Sequence, residues 1–169
     1  KGLLEVLASA SEFNQLSVRE KEPDVLFRMA KHLPQKMADN ADYEDTATKA
    51  LVLLQAHISR VNLSSDMSSD RSWMLGKCII LIQALVDVIS SQGWLRPALA
   101  AMELSQMIVQ GLWSNDSILL QIPHFNDKLV SACAAHNPPV TSVLDILEMD
   151  DDVRSSLIPL PESHMSEVA

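Results

Sequence analysis

The chain has 169 residues, 47% hydrophobic but only 4% aromatic, with 22 acidic against 13 basic side chains and a formal net charge of −9. The length suits one domain with a small C-terminal appendage, and an apolar content dominated by Leu, Ile, Ala, Val and Met, with only four glycines, favours a helical bundle over hairpin-rich sheets. The charge excludes a general polyanion binder, because phosphate affinity rests on Lys and Arg, so any nucleic-acid contact must be local.

Leu3, Val6, Leu7, Ala10 and Phe13 predict a short helix with one apolar face. Residues 14–22, with Val18 and Arg19 among them, are mixed and polar and read as an extended strap. Pro23 fits the first turn of the next helix, where a missing N–H costs nothing. Val25, Leu26, Met29 and Ala30 supply its buried side, and Pro34 ends it. Residues 35–44 lack a periodic apolar pattern and form a loop. A further helix opens near Asp45 or Thr46, where Ala47, Leu51, Leu54, Ile58 and Val61 step along one face. Residues 62–68, rich in Ser, form a connection.

Residues 71–92 predict the long helix around which the chain is organised. Ser69 and Asp70 precede it as capping residues, and Gly93 suits the left-handed conformation that ends a helix. Ser72, Lys77, Gln83, Asp87, Ser90 and Ser91 fall on one broad side, interrupted by Trp73, Ile80 and Ala84. Met74, Leu75, Ile79, Ile82, Leu85, Val86 and Ile89 cover the other. The expectation is a helix flanked by others over most of its surface, with only the mixed stripe free. Gln83 and Asp87 break the longest apolar run, so no membrane span is expected.

Pro97 starts another strong helix, with Ala101, Leu104, Ile108 and Leu112 buried and Glu103, Gln106 and Gln110 opposite; Trp113 closes it. Residues 114–125 hold a short helical turn and the run Ile122-Pro123-His124-Phe125. Asn126 caps a helix through Ala135, and Asn137-Pro138-Pro139 breaks the chain. Thr141 or Ser142 caps a helix carrying Val143, Leu144, Ile146 and Leu147. Residues 151–157 add a turn or two, and Pro161 begins a last helix that runs to the end. The fold expected is all-α: a multi-helix bundle over residues 1–125 around a long central helix, then a small helix-loop-helix unit over residues 126–169.

Reaction chemistry is not visible. There is no phosphate loop, dinucleotide glycine pattern or Gly-x-Ser-x-Gly elbow. His32, His57, His124, His136 and His164 form no ligand set, and Cys133 with His136 is one pair without a second. His57 reads as a packed or boundary residue. Cys78 and Cys133 read as reduced core residues, which suits a cytosolic or nuclear compartment. No catalytic, cofactor-binding or metal site is expected. The acidic runs at 42–45 and 148–152 read as solvated charge. What remains is a stripe of Ser72, Trp73, Lys77, Gln83 and Ser90, able in principle to line a single RNA strand through phosphate contacts and base stacking. Arg19, Arg60, Arg71 and Arg96 are candidate supporting cations. A packed or solvated bundle face is the competing reading.

Several stretches carry a resemblance. Residues 50–60, ALVLLQAHISR, resemble the LLQAHxSR helix of the large two-cassette spliceosomal RNA helicases. Residues 87–95, DVISSQGWL, and 97–107, PALAAMELSQM, resemble DVLSSNGW and PALAAMELAQM of the same family. Residues 11–13, 18–20, 113–117, 122–125 and 144–149 continue in register, so the similarity covers nearly the whole chain. It implies the helical domain shared with a protein-translocation factor, within a nuclear, ATP-dependent helicase that unwinds paired small nuclear RNAs during spliceosome activation. An immunoglobulin-like domain follows in that family, and this chain stops before it. ATP and Mg would belong to motor domains outside this segment. The wording is closer to the C-terminal cassette, which is regarded as inactive in unwinding and as a partner-docking unit.

In active members the central helix acts as a ratchet on the translocating strand. The resemblance places that face near Trp73, Lys77, Ile80 and Gln83, of which only Lys77 is charged. Pro138-Pro139 stands where a DNA-binding hairpin would need a glycine turn offering N–H groups to phosphate. The expected function is therefore a non-catalytic brace that packs on the motor domains of its own polypeptide and docks other spliceosomal proteins, with weak RNA contact at most and no membrane. The alternatives are an RNA-guiding ratchet of an active cassette, the equivalent domain of the ribosome-rescue activating-signal-cointegrator helicase, which shares LLQAH and NQGW, and a free-standing helical adaptor.

Overall fold

The computed structural model describes residues 2–161, 163 and 164. The described residues form eight α-helices and no strand: α1 (Leu3–Ala8), α2 (Glu22–Ala30), α3 (Thr46–Ile58), α4 (Ser65–Ser91), α5 (Leu95–Gln110), α6 (Asp127–Ala135), α7 (Val143–Leu147) and α8 (Asp151–Leu157). Single 3-10 turns lie at Ser11–Phe13 and Ile118–Gln121. The fold is the all-helical bundle with a long central helix that the periodicity predicts. The helix expected from Pro161 onward falls largely outside the described residues.

The chain divides into two compact units, Lys1–Ser114 and Asn115–Ala169. The division falls before the Ile118–Gln121 turn, whereas the sequence reading kept residues up to 125 with the bundle. Packing decides the matter, because Leu119 and Phe125 are buried together with Cys133, Val140, Ile146 and Ile158. An apolar run that looks like the tail of one domain supplies the core of the next.

In the first unit the most enclosed element is α3. Asp45 caps it by accepting from the Thr48 N–H at 3.2 Å. Ala50, Val52, Leu53, Leu54, Ala56 and Ile58 are all at 0% exposure, so α3 is covered on every side rather than along one stripe. It packs against α1, α2, α4 and α5. α1 is shorter than predicted: Val6 is exposed, and Leu4, Leu7 and Ala8 make the buried face. Pro23 lies in the first turn of α2, as its missing N–H requires.

α4 starts six residues earlier than the sequence suggests, with Ser64 at its N-cap position. Ser69 and Asp70 lie inside it, and the Ser69 hydroxyl donates to the Ser65 carbonyl. Asp70 does not cap a helix end, because its carboxylate is turned onto cations of other elements. Gly93, at φ +73°, closes the helix in the left-handed region. Met67, Met74, Cys78, Ile82 and Ile89 bury one stripe of α4. Its tightest partner is α5, which returns along it and seals Ile89 against Ala98 and Ala101.

The expected enclosure of α4 does not hold. Ile79, placed with the buried residues by the sequence reading, is exposed, as are Trp73, Ile80 and Val88. By length and composition alone α4 is apolar enough to cross a membrane, although the sequence reading took Gln83 and Asp87 to break the run; 22% of its most apolar window is buried in this chain. Core helices of helical bundles meet the same criterion, and α4 packs one stripe, with Met74, Cys78 and Ile82, into the bundle.

In the second unit Asn126 caps α6 by accepting from the N–H groups of Lys128 and Leu129 at 3.0 and 3.1 Å. Ser142 caps α7 in a reciprocal box with Asp145. The N–H groups of Thr141 and Ser142 each donate to Asp145 at 2.8 Å and hold its carboxyl below the usual range. Of the apolar residues predicted on α7 only Ile146 is buried; Val143, Leu144 and Leu147 face outward.

Candidate functional site

The residues of the ALVLLQAHISR stretch account for themselves in the structure. Gln55, fully buried on α3, accepts from the Gln35 N–H at 3.0 Å and offers its amide to Met37 Sδ at 3.9 Å, which ties down the loop after α2. His57 Nε2 lies 2.7 Å from the Ile108 carbonyl. A carbonyl only accepts, so Nε2 carries the proton. Arg60, at φ +52°, donates from Nε to the Gly111 carbonyl at 2.9 Å and from its guanidinium to Gln110. Ser59 Oγ accepts from the Trp113 indole at 2.9 Å. Three polar side chains in one turn thus satisfy the orphan carbonyls and the indole at the end of α5. Their role here is to clamp α5 to α3.

Sequence reasoning missed the strongest electrostatic feature. Lys49, at 0% exposure, donates its three protons to the Ser17 carbonyl (2.7 Å), Glu22 Oε2 (2.6 Å) and Asp70 Oδ2 (2.7 Å). Arg19 completes the cluster, forking onto Asp70 at 2.6 and 3.0 Å and pairing with Glu22, which also accepts the Arg19 N–H at 2.9 Å. Two cations and two carboxylates cancel, and they join the strap, α2, α3 and α4. Burial pushes both carboxyls up. The donors outweigh it: the Arg19 N–H with Lys49 and Arg19 at Glu22, and Arg19 with Lys49 at Asp70, so both lie below the ordinary carboxylate range. The signal in the sequence was a single Lys on an otherwise apolar helix.

The candidate RNA stripe is laid out along the open face of α4. Ser72, Trp73, Gln83 and Ser90 are exposed there with Ile80 and Asp87, and Lys77 is half-buried. The Lys77 ammonium stands 4.9 Å over the Trp73 ring. Ser72 turns its hydroxyl back onto the Ser68 carbonyl at 2.9 Å. Gln83 and Asp87 border a shallow groove with Met102, Ser105 and Gln106 of α5. The supporting cations do not join them. Arg19 is spent in the Lys49 cluster, Arg60 caps α5, and Arg71 donates to Ser68 Oγ at 3.2 Å; Arg96 is exposed at the start of α5. Alongside, Leu95, Leu99, Met102 and Val109 form an exposed apolar ridge on α5.

Cys78 and Cys133 are free, buried thiols, and burial pushes Cys78 up to about 12. His136 Nδ1 donates to the Pro138 carbonyl at 2.9 Å. Among the described residues no three metal-binding side chains converge.

The first unit is an internally clamped all-helical core that leaves apolar side chains of α4 and α5 exposed. The Sec63 Brl domain family matches residues 1–167, and the chain belongs to that family. It is 44% identical over its whole length to a segment of the human U5 small nuclear ribonucleoprotein 200 kDa helicase. It is 41% identical over 168 residues to the activating signal cointegrator 1 complex subunit 3-like protein of Dictyostelium discoideum, and 40% identical over 169 to the pre-mRNA-splicing factor brr2 of Schizosaccharomyces pombe. The chain spans 7–8% of the length of these relatives.

Proposed function

We propose that this segment is a brace and partner-docking module of an ATP-dependent spliceosomal RNA helicase acting in the nucleus, and that it leaves catalysis to motor domains elsewhere in the polypeptide. ATP and Mg would be held there, and unwinding of paired small nuclear RNAs would be the work of the whole protein. The observation that carries the reading is the open face of α4 and α5. Ile79, Ile80 and Val88 of α4 and Leu95, Leu99, Met102 and Val109 of α5 are exposed, with Ile80 at 68% and Leu95 at 70%. Lys77 is the one cation within the α4 stripe, it leans on Trp73, and Asp87 shares the surface. Such a surface gains by covering apolar area with protein and offers little to a polyanion.

A ratchet role for α4 is the second reading, favoured by the exposed Trp73–Lys77 pair, which would present a stacking ring beside a positive charge. Photo-crosslinking during unwinding by the intact helicase separates the two. The brace reading expects crosslinks from positions 80 and 99 to protein of the same assembly. Dominant crosslinks from positions 77 and 83 to RNA would overturn it.

A further inference from the structure

We infer that the cavity between the end of α2 and the loop after it is a docking site for an acidic peptide segment of a partner protein. The cavity holds about 370 Å³ and is lined by Phe27, Ala30, Lys31, Lys36, Met37, Ala38, Asp39 and Tyr43. Charge complementarity points to its occupant. In a chain of net charge −9, the lining carries Lys31 and Lys36 against one carboxylate, Asp39, a local positive excess. Lys31 and Lys36 are exposed and border the cavity, so a carboxylate entering it would meet both ammonium groups.

The cavity is built, not incidental. Buried Gln55 holds Gln35 and Met37 by both ends of its amide and so sets the loop wall. Phe27 and Tyr43 brace the opposite side edge to face, with centroids 5.5 Å apart. A single RNA strand suits the site less well. Tyr43 stands perpendicular to Phe27, and the Lys31 ammonium sits 4.1 Å over the Phe27 ring, so that ring offers no open platform for a base.

The site rests on the docking half of the proposed function and lies apart from the open face of α4. The test measures binding of a labelled peptide of alternating Glu and Leu to the intact polypeptide by fluorescence anisotropy, with labelled oligouridine in parallel. The Lys31→Glu, Lys36→Glu double variant alters two exposed side chains and leaves the core untouched. The expected result is peptide binding that falls by about tenfold in the variant, with oligouridine binding unchanged. Absent peptide binding, equal affinity in both proteins, or loss of oligouridine binding in the variant would overturn the site. Failure here would leave the brace reading to its own test on α4.

Discussion

Lys49 shows how much one side chain can decide. A buried ammonium is costly unless each proton finds an acceptor, and here each does. Lys49→Met would remove the cation and leave Glu22 and Asp70 facing each other with Arg19 alone. The expected loss of stability is about 3–5 kcal/mol, read by chemical denaturation. The same experiment carries a pH signature. Both carboxyls titrate below their unfolded values, so the folded state binds fewer protons than the unfolded state in that window. Their contribution is fully present above about pH 5 and is lost as pH falls through the depressed folded values. Wild-type stability should therefore decline on acidification below about pH 5, and the Lys49→Met protein should decline less steeply. None of this was legible in the sequence, because Arg19, Glu22, Lys49 and Asp70 meet only after the strap folds back over α3.

At the scale of the element, legibility followed enclosure. Helices with one buried stripe and a good cap, such as α5 and α6, read correctly from spacing. The start of α3 at its Asp45 cap read correctly too; what spacing missed was its enclosure, since a helix covered on all sides has no polar face to set its phase. α4 began early because Ser65 to Asp70 looks like a connection; the anchoring of Asp70 and the packing of Met67 draw that polar turn into the helix. The polar residues of the 50–60 stretch are ties between elements, and His57, Ser59 and Arg60 make the α3–α5 joint. Gly111 is the hinge of that joint, at φ +60° with His57 at an ordinary contact distance of 3.6 Å from the site of a Cβ. Gly111→Ala should therefore cost about 1 kcal/mol through backbone strain rather than clash, measurable as a lowered melting temperature.

At the scale of the whole molecule, two compact units carry two separate cores, and the apolar composition that predicted a bundle also leaves apolar surface over. The open ridge of α4 and α5 was half legible: the mixed stripe was read correctly as free, while Ile79 and Val88 were not expected beside it. A sequence of one segment cannot show which of its apolar faces another segment covers. The proposed function requires this face to pack against protein and not to handle RNA. The most direct test is an RNA-unwinding assay on the intact helicase carrying Lys77→Glu and Gln83→Glu together, with ATPase activity and folding checked alongside. Both side chains lie on the α4 stripe, so added negative charge would repel phosphate passing there. Unwinding equal to wild type across salt concentrations is expected; a large, salt-sensitive fall with ATPase and folding intact would overturn the brace reading.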